Sequence, residues 1–270
     1  MPAQPLGPTG LLAQSMTLPA GSQSMSMGGM GLRAQGMDGR KKGGAAQPTF
    51  ISPAQIASAA YWLDSTQNVV GSSPVTSWTD RKLAKEFVNQ GSPQLITTVP
   101  PRISFPNLPD NLQTTNMSAV DYSGSNRAAM TFAFRTRSAF NNAAILAFGG
   151  SFNHFSLGIS AAGVLKGSRS DDWSTGDALD TAALDTNRLY VASVYYSGGR
   201  LILRKNSVEV ANVVNSYSFG ASNLARVSGL TDGANFSQSI DAIQAVFFDS
   251  TFTVADIIAV ENYFKNEIGI

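Results

Sequence analysis

Cysteine is absent from the 270 residues, which excludes a disulfide framework, a thiolate metal site and a cysteine nucleophile together. Histidine occurs once, as His154 in GGSFNHFSLG, so any serine–histidine triad or multi-histidine metal site would rest on a single side chain that reads as an ordinary strand residue. Neither a G-x-S-x-G elbow nor a phosphate-binding G-x-x-x-x-G-K is present. The formal net charge is +1, which leaves no basic surface of the kind that phosphate neutralisation needs, and nucleic acid is not an expected partner. No run approaches 18 apolar residues, so no helix is expected to cross a membrane. The opening MPAQPLGPTGLLAQ has neither a basic n-region nor a long apolar stretch, unlike a signal peptide. A protein of this type that works outside the cell that made it would leave by another route, such as lysis.

What is present is a chain with 43% hydrophobic and 14% charged residues, apolar enough to bury a sizeable core. Residues 1–48 differ from the rest. They hold six of the eight methionines, including Met25, Met27 and Met30, and ten of the 25 glycines. Arg33, Arg40, Lys41 and Lys42 against Asp38 make them basic. Such sequence cannot bury enough apolar area to offset its own ordering entropy. It reads as an extended arm ordered by a partner surface, with flexible methionines suited to irregular grooves and the Arg40–Lys41–Lys42 cluster as its charged element. Residues 49–270 read as one domain.

The domain opens with ISPAQIASAAYWLD, where Ser52 can cap a short helix with Pro53 at its first position and Ile56, Ala59 and Ala60 on one face. Short apolar or alternating runs follow, separated by Gly, Asn, Asp, Ser and Pro clusters, at 74–78, 102–105, 130–137, 143–149, 154–160, 189–196, 200–205, 208–214 and 241–249. This is the pattern of a many-stranded sandwich. In MTFAFRTR, Thr131, Ala133, Arg135 and Arg137 share one face and Met130, Phe132, Phe134 and Thr136 the other, so one face must meet a core. The SGG and KNSVE connectors read as hairpin turns. Thr253 and Asp256 make a capping box for a closing helix that carries Ile257, Val260, Phe264 and Ile268 at helical spacing and stops at Gly269.

The landmarks WLD at 62–64, SWTDR at 77–81, ISF at 103–105, the hairpin LILRKNSVEV and the closing FFDSTFTVADIIAVENYFKNEIGI together resemble the laminin-G-like, concanavalin A-like lectin/glucanase superfamily over about residues 50–270. The resemblance implies an all-β, antiparallel jelly-roll sandwich with a short N-terminal helix and a C-terminal helix, preceded by the arm. It places Trp62 and Trp78 in the core and gives Asp64 and Asp80 the task of fixing turns. Single domains of this sort with a Gly/Ser/Met-rich leader are similar to structural proteins of tailed bacteriophages.

Glycosidases of that superfamily carry E-x-D-x-x-E on one strand, with the acid and the nucleophile about 5 Å apart. The only glutamates here, Glu86, Glu209, Glu261 and Glu267, form no such pair, so no catalytic residue is assigned and the domain is expected not to be an enzyme. The one loop with ligand-binding character is GSRSDDWSTGDALD at 167–180, where Asp171, Asp172, Asp177 and Asp180 surround Trp173. A sandwich lectin would use such carboxylates for sugar hydroxyls or calcium and the indole for a ring edge. No specific motif supports calcium, and no cofactor is expected. The expectation is a virion structural protein (capsid decoration, fibre or tail component), assembled in the host cytoplasm in several symmetric copies. Its partners would be other virion proteins, copies of itself and surface polysaccharide. The alternative is a lectin or adhesin for host glycans, and a third reading is a hydrolase with an unusual carboxylate pair.

Overall fold

Strand β8 (Arg127–Thr136) shows how the sequence builds the molecule. Its alternate residues Met130, Phe132 and Phe134 point into one hydrophobic cluster, and Ala129 and Ala133 point into a second on the opposite face. The computed structural model describes residues 50–106, 110–115, 117–120, 122, 127–137, 140–150, 153–170, 178–216, 224–229 and 239–270. They belong to one unit, Pro48–Ile270. The arm positions Met25, Met27, Met30, Arg40, Lys41 and Lys42, and the loop positions Asp171, Asp172, Trp173 and Asp177, lie outside the described residues.

Among the described residues two antiparallel sheets form a sandwich, joined by one C-terminal helix. Sheet A runs in the order β15 (Val208–Val214), β14 (Arg200–Lys205), β13 (Leu189–Ser197), β8, β17 (Ile240–Phe248), β6 (Arg102–Phe105) and β5 (Gln94–Ile96). Strand β1 (Ala59–Asp64) pairs with the far half of β17. Sheet B runs β12 (Ala178–Ala183), β11 (Val164–Ser170), β10 (Asn153–Ile159), β9 (Ala143–Gly150), β16 (Ala225–Val227), β7 (Leu112–Thr114), β4 (Glu86–Asn89), β3 (Val75–Thr79) and β2 (Val69–Gly71).

Between the sheets, Phe132, Phe134, Val194, Leu203 and Phe247 meet Trp78, Phe87, Phe148, Phe155 and Leu157. The other face of sheet A is covered as well. Ala129, Ala133, Val191, Tyr195, Val246 and Phe248 pack under Ile257, Val260, Phe264 and Ile268 of helix α1 (Val254–Ile268). The sequence called for one core face on β8, but the helix gives it two, and the alanines leave room for the helix to approach. This double burial explains why every residue of β17 is buried, its two polar side chains, Asp241 and Gln244, being held by Arg102, Arg137 and Trp62.

The helix begins and ends as its sequence dictates. The Asp256 backbone N–H donates to Thr253 Oγ1 at 3.2 Å, Thr253 N–H donates to Asp256 Oδ2 at 2.8 Å, and Gly269 closes it at φ 75°. The opening helix is shorter than expected, a single 3-10 turn at Pro53–Gln55. Ala59 and Ala60 belong instead to β1, where pairing with β17 outweighs their helical preference. Both hairpin turns are present. In the second, Asn206 and Ser207 sit at φ 49° and 72°, and Asn206 is held there by a 3.0 Å bond from Val191 N–H to its Oδ1.

Strand β11 has almost no strand signature, yet it fits. A Cβ on Gly167 would lie 2.8 Å from Val194, so only glycine lets the two sheets approach there. Two residues on, the Arg169 guanidinium lies 3.6 Å over the Tyr196 ring, an apolar use of a charged side chain.

Candidate functional site

Four polar groupings stand apart from the core. The first is architectural. Asp64 accepts from Thr66 N–H at 3.0 Å and pairs with Arg81 at 2.6 Å, and Arg81 lies 4.0 Å over the Trp62 ring. Asp80 accepts from the backbone of Trp62, Lys82 and Leu83. The turn-fixing role expected for both aspartates is what their bonds show. Trp78 is in the inter-sheet core. Trp62 is buried on the helix side, with its indole N–H donating to Gln244 at 3.1 Å.

The second is an ion pair between the two sheets. Asp180 was counted with the acidic loop around Trp173, but it lies on β12, buried, and pairs with Lys205 of β14. It ties the edge strand of sheet B to β14 of sheet A and is not part of a ligand loop.

The third is the outer face of sheet B. Register places Ser168, Ser156, Ala147, Arg226 and Gln113 side by side across five strands. The next row, Leu157, Leu146, Val227 and Leu112, points into the core. Successive residues alternate faces, so the first row lies on the face of sheet B turned away from the inter-sheet core, where Ser168, Ser156 and Ala147 are nonetheless fully buried and Arg226 donates to Gln113 Oε1 at 2.6 Å. His154 belongs to this face through β10 and is buried. At the β4–β7 end the row opens into a groove of about 430 Å³ lined by Lys85, Glu86, Val88, Gln90, Gln113, Thr114 and Thr115. Amides, hydroxyls and one charge of each sign make it a surface for hydrogen bonding.

The fourth is a cleft of about 490 Å³ on sheet A, beyond the C-terminal end of α1, lined by Thr98, Val99, Pro100, Arg102, Arg135, Arg188, Leu189 and Ile270. Arg102 is fixed by Asp241 at 2.9 Å and by Thr98 Oγ1 at 2.9 Å. Arg137 shares Asp241 at 2.9 Å. Arg188 pairs with the exposed Asp185 at 2.6 Å, which raises its pKa. Arg135 donates to the Asn187 carbonyl at 3.2 Å and pairs with no acid among the described residues. These arginines come from positions far apart in sequence. Their one advance sign was the placement of Arg135 and Arg137 on the same face of β8.

Among the described residues no group of three His, Asp or Glu side chains is arranged to hold a metal ion, and no helix is long and apolar enough to cross a membrane.

No family model matches the sequence, and no curated protein matches it. Solved structures share the fold at low identity. A Trypanosoma rangeli sialidase in complex with 2,3-difluorosialic acid, a covalent intermediate, matches with a TM-score of 0.56 and 9% identity over 78% of this chain and 33% of that one. The binding domain of botulinum neurotoxin DC in complex with SialylT matches with a TM-score of 0.57 and 13% identity over 79% and 52%. A structure whose title makes cell entry of botulinum neurotoxin type C dependent upon interaction with two ganglioside molecules matches at 0.54 and 15% over 71% and 51%. This chain thus spans between a third and about half of the chains it resembles.

One expectation is corrected by these similarities. The missing strand-borne carboxylate pair had been taken to mark the domain as not an enzyme, but the sialidase is an enzyme with this sandwich inside its chain. That pair is one catalytic arrangement among several, so its absence does not define the class.

Proposed function

We propose that the sandwich is a lectin-like, carbohydrate-binding module. The observation that carries this reading is the open groove at the β4–β7 end of sheet B, where Gln90, Gln113 and Thr115 offer amides and a hydroxyl in a space of about 430 Å³, a size and chemistry suited to sugar hydroxyls. The ligands in the titles of the botulinum neurotoxin structures, SialylT and gangliosides, support the same reading. The test is a glycan array probed with the full chain and with Gln90→Ala and Thr115→Ala, two exposed positions. Binding of neutral oligosaccharides that weakens several-fold in the variants is the expected result. An array with no bound glycan would sink the reading.

The finer proposal is that a virion displays this module, with residues 1–48 as the anchoring arm and other virion proteins and further copies of the chain as its partners. It is supported by the composition of the arm, six of whose residues are methionine and ten glycine. Light scattering on the full chain and on a chain starting at Thr49 tests the arm. Assembly that needs residues 1–48 is expected, and two monomers of unchanged mass would overturn it.

A further inference from the structure

We propose that the arginine-lined cleft on sheet A is a subsite for the carboxylate of an acidic saccharide. This inference rests on the carbohydrate-binding reading and names the class of sugar.

The argument begins with charge. Three arginines, Arg102, Arg135 and Arg188, line the cleft; Arg102 shares Asp241 with the neighbouring Arg137, and Arg188 pairs with Asp185. The nearby C-terminal end of α1 contributes only about half a negative charge. Among the described residues Arg135 is the arginine of the cleft that no acid pairs with, and it is the group left to meet an anion.

The three arginines are not equivalent. Arg102 is clamped from two sides and its side chain is 13% exposed; with Asp241 it forms the wall. Arg188 and Asp185 have side chains 66% and 65% exposed, and an ion pair that open to water holds weakly enough to exchange for a ligand. Arg135 spends its Nε–H on the Asn187 carbonyl, a bond that orients the guanidinium and leaves its terminal N–H groups for something else. A planar fork with two parallel donors matches a carboxylate.

The rest of the cleft suits a sugar. Val99 is 93% exposed, and with Leu189 and Pro100 it offers apolar surface for C–H faces of a ring, with the Thr98 hydroxyl at the rim. On β8, Arg135 has Leu189 of β13 on one side and Asp241 of β17 on the other. Arg102 is two strands away on β6. That separation is about 10 Å at the usual strand spacing, with Asp241 of β17 lying between the two arginines.

The experiment measures binding of the full chain to 3′-sialyllactose, its methyl ester, lactose, 3′-sulfolactose and a hyaluronan tetrasaccharide. The variants are Arg135→Gln, Arg188→Gln and Arg135→Lys, all at side chains outside both hydrophobic clusters. The expected pattern is a preference for the two carboxylated sugars over lactose and the methyl ester. Arg135→Gln should weaken their binding about tenfold or more and leave lactose unchanged, and Arg135→Lys should recover only part of it. A dominant response to the sulfated sugar, or carboxylate binding that ignores Arg135→Gln and Arg188→Gln, would overturn the subsite. Lactose bound as well as 3′-sialyllactose would overturn it too while leaving the carbohydrate reading intact. If nothing binds, both fall.

Discussion

At the scale of single residues, the clearest case is a hydroxyl that holds two strands. Tyr122 Oη lies 2.8 and 2.7 Å from the carbonyls of Ala129 on β8 and Phe248 on β17, which share its one O–H donor. Those two residues are register partners. The ring packs edge-on against Phe148, with centroids 4.7 Å apart. Tyr122→Phe keeps the ring and loses the bond, and it should cost about 1–2 kcal/mol, read as a fall of a few degrees in Tm. Burial pushes the phenol's pKa well above its ordinary value near 10, opposed by those backbone bonds. Because the folded-state pKa is the higher one, this stability is complete below pH 10 and drains away as the pH rises past it, by about 1.4 kcal/mol per pH unit. Urea unfolding followed from pH 9 to 11 should show that slope in the native chain and a shallower one in Tyr122→Phe. Burial also raises Tyr195 and Tyr263, so part of the slope should survive the substitution.

Among the elements, the helix and the sheet it covers are joined by more than apolar contact. Glu261 of α1, fully buried, takes two bonds from Arg204 of β14, at 2.9 and 3.2 Å. Arg204 also donates to the Ser207 carbonyl in the adjacent turn at 2.7 Å. Removing one partner strands the other charge, so Glu261→Leu should lose about 3–5 kcal/mol in urea unfolding. The pair Arg204→Met with Glu261→Leu should regain most of it. Elements with strong local signals were legible in advance: the capped helix, and long strands such as β8, β13 and β17, whose aromatic and β-branched residues read as strand at any register. Strands β2, β5, β7 and β16 have three residues each, too few for a period to show. Strand β11 was missed because, after Leu165, its core-facing positions are Gly167 and Arg169. The arginine cleft was illegible for a different reason, since its charges meet only after β6, β8 and the turn before β13 have been brought together.

For the whole molecule, the order of strands along the chain differs from their order in space. The sequence pattern already pointed to a two-sheet sandwich because alternation repeats about every ten residues, but nothing in it says which strand lies beside which. Strand β17, near the end of the chain, is central in sheet A, with β8 on one side and both β6 and β1 on the other. During synthesis on the ribosome these three earlier strands therefore wait for a neighbour that emerges last. Until residues 240–248 and then α1 arrive, β8 has an open edge and an uncovered alanine face, so sheet A closes only after translation has passed them. Non-local closure of this kind is slow and leaves sticky edges exposed meanwhile, so the nascent chain depends on shielding through most of its own synthesis.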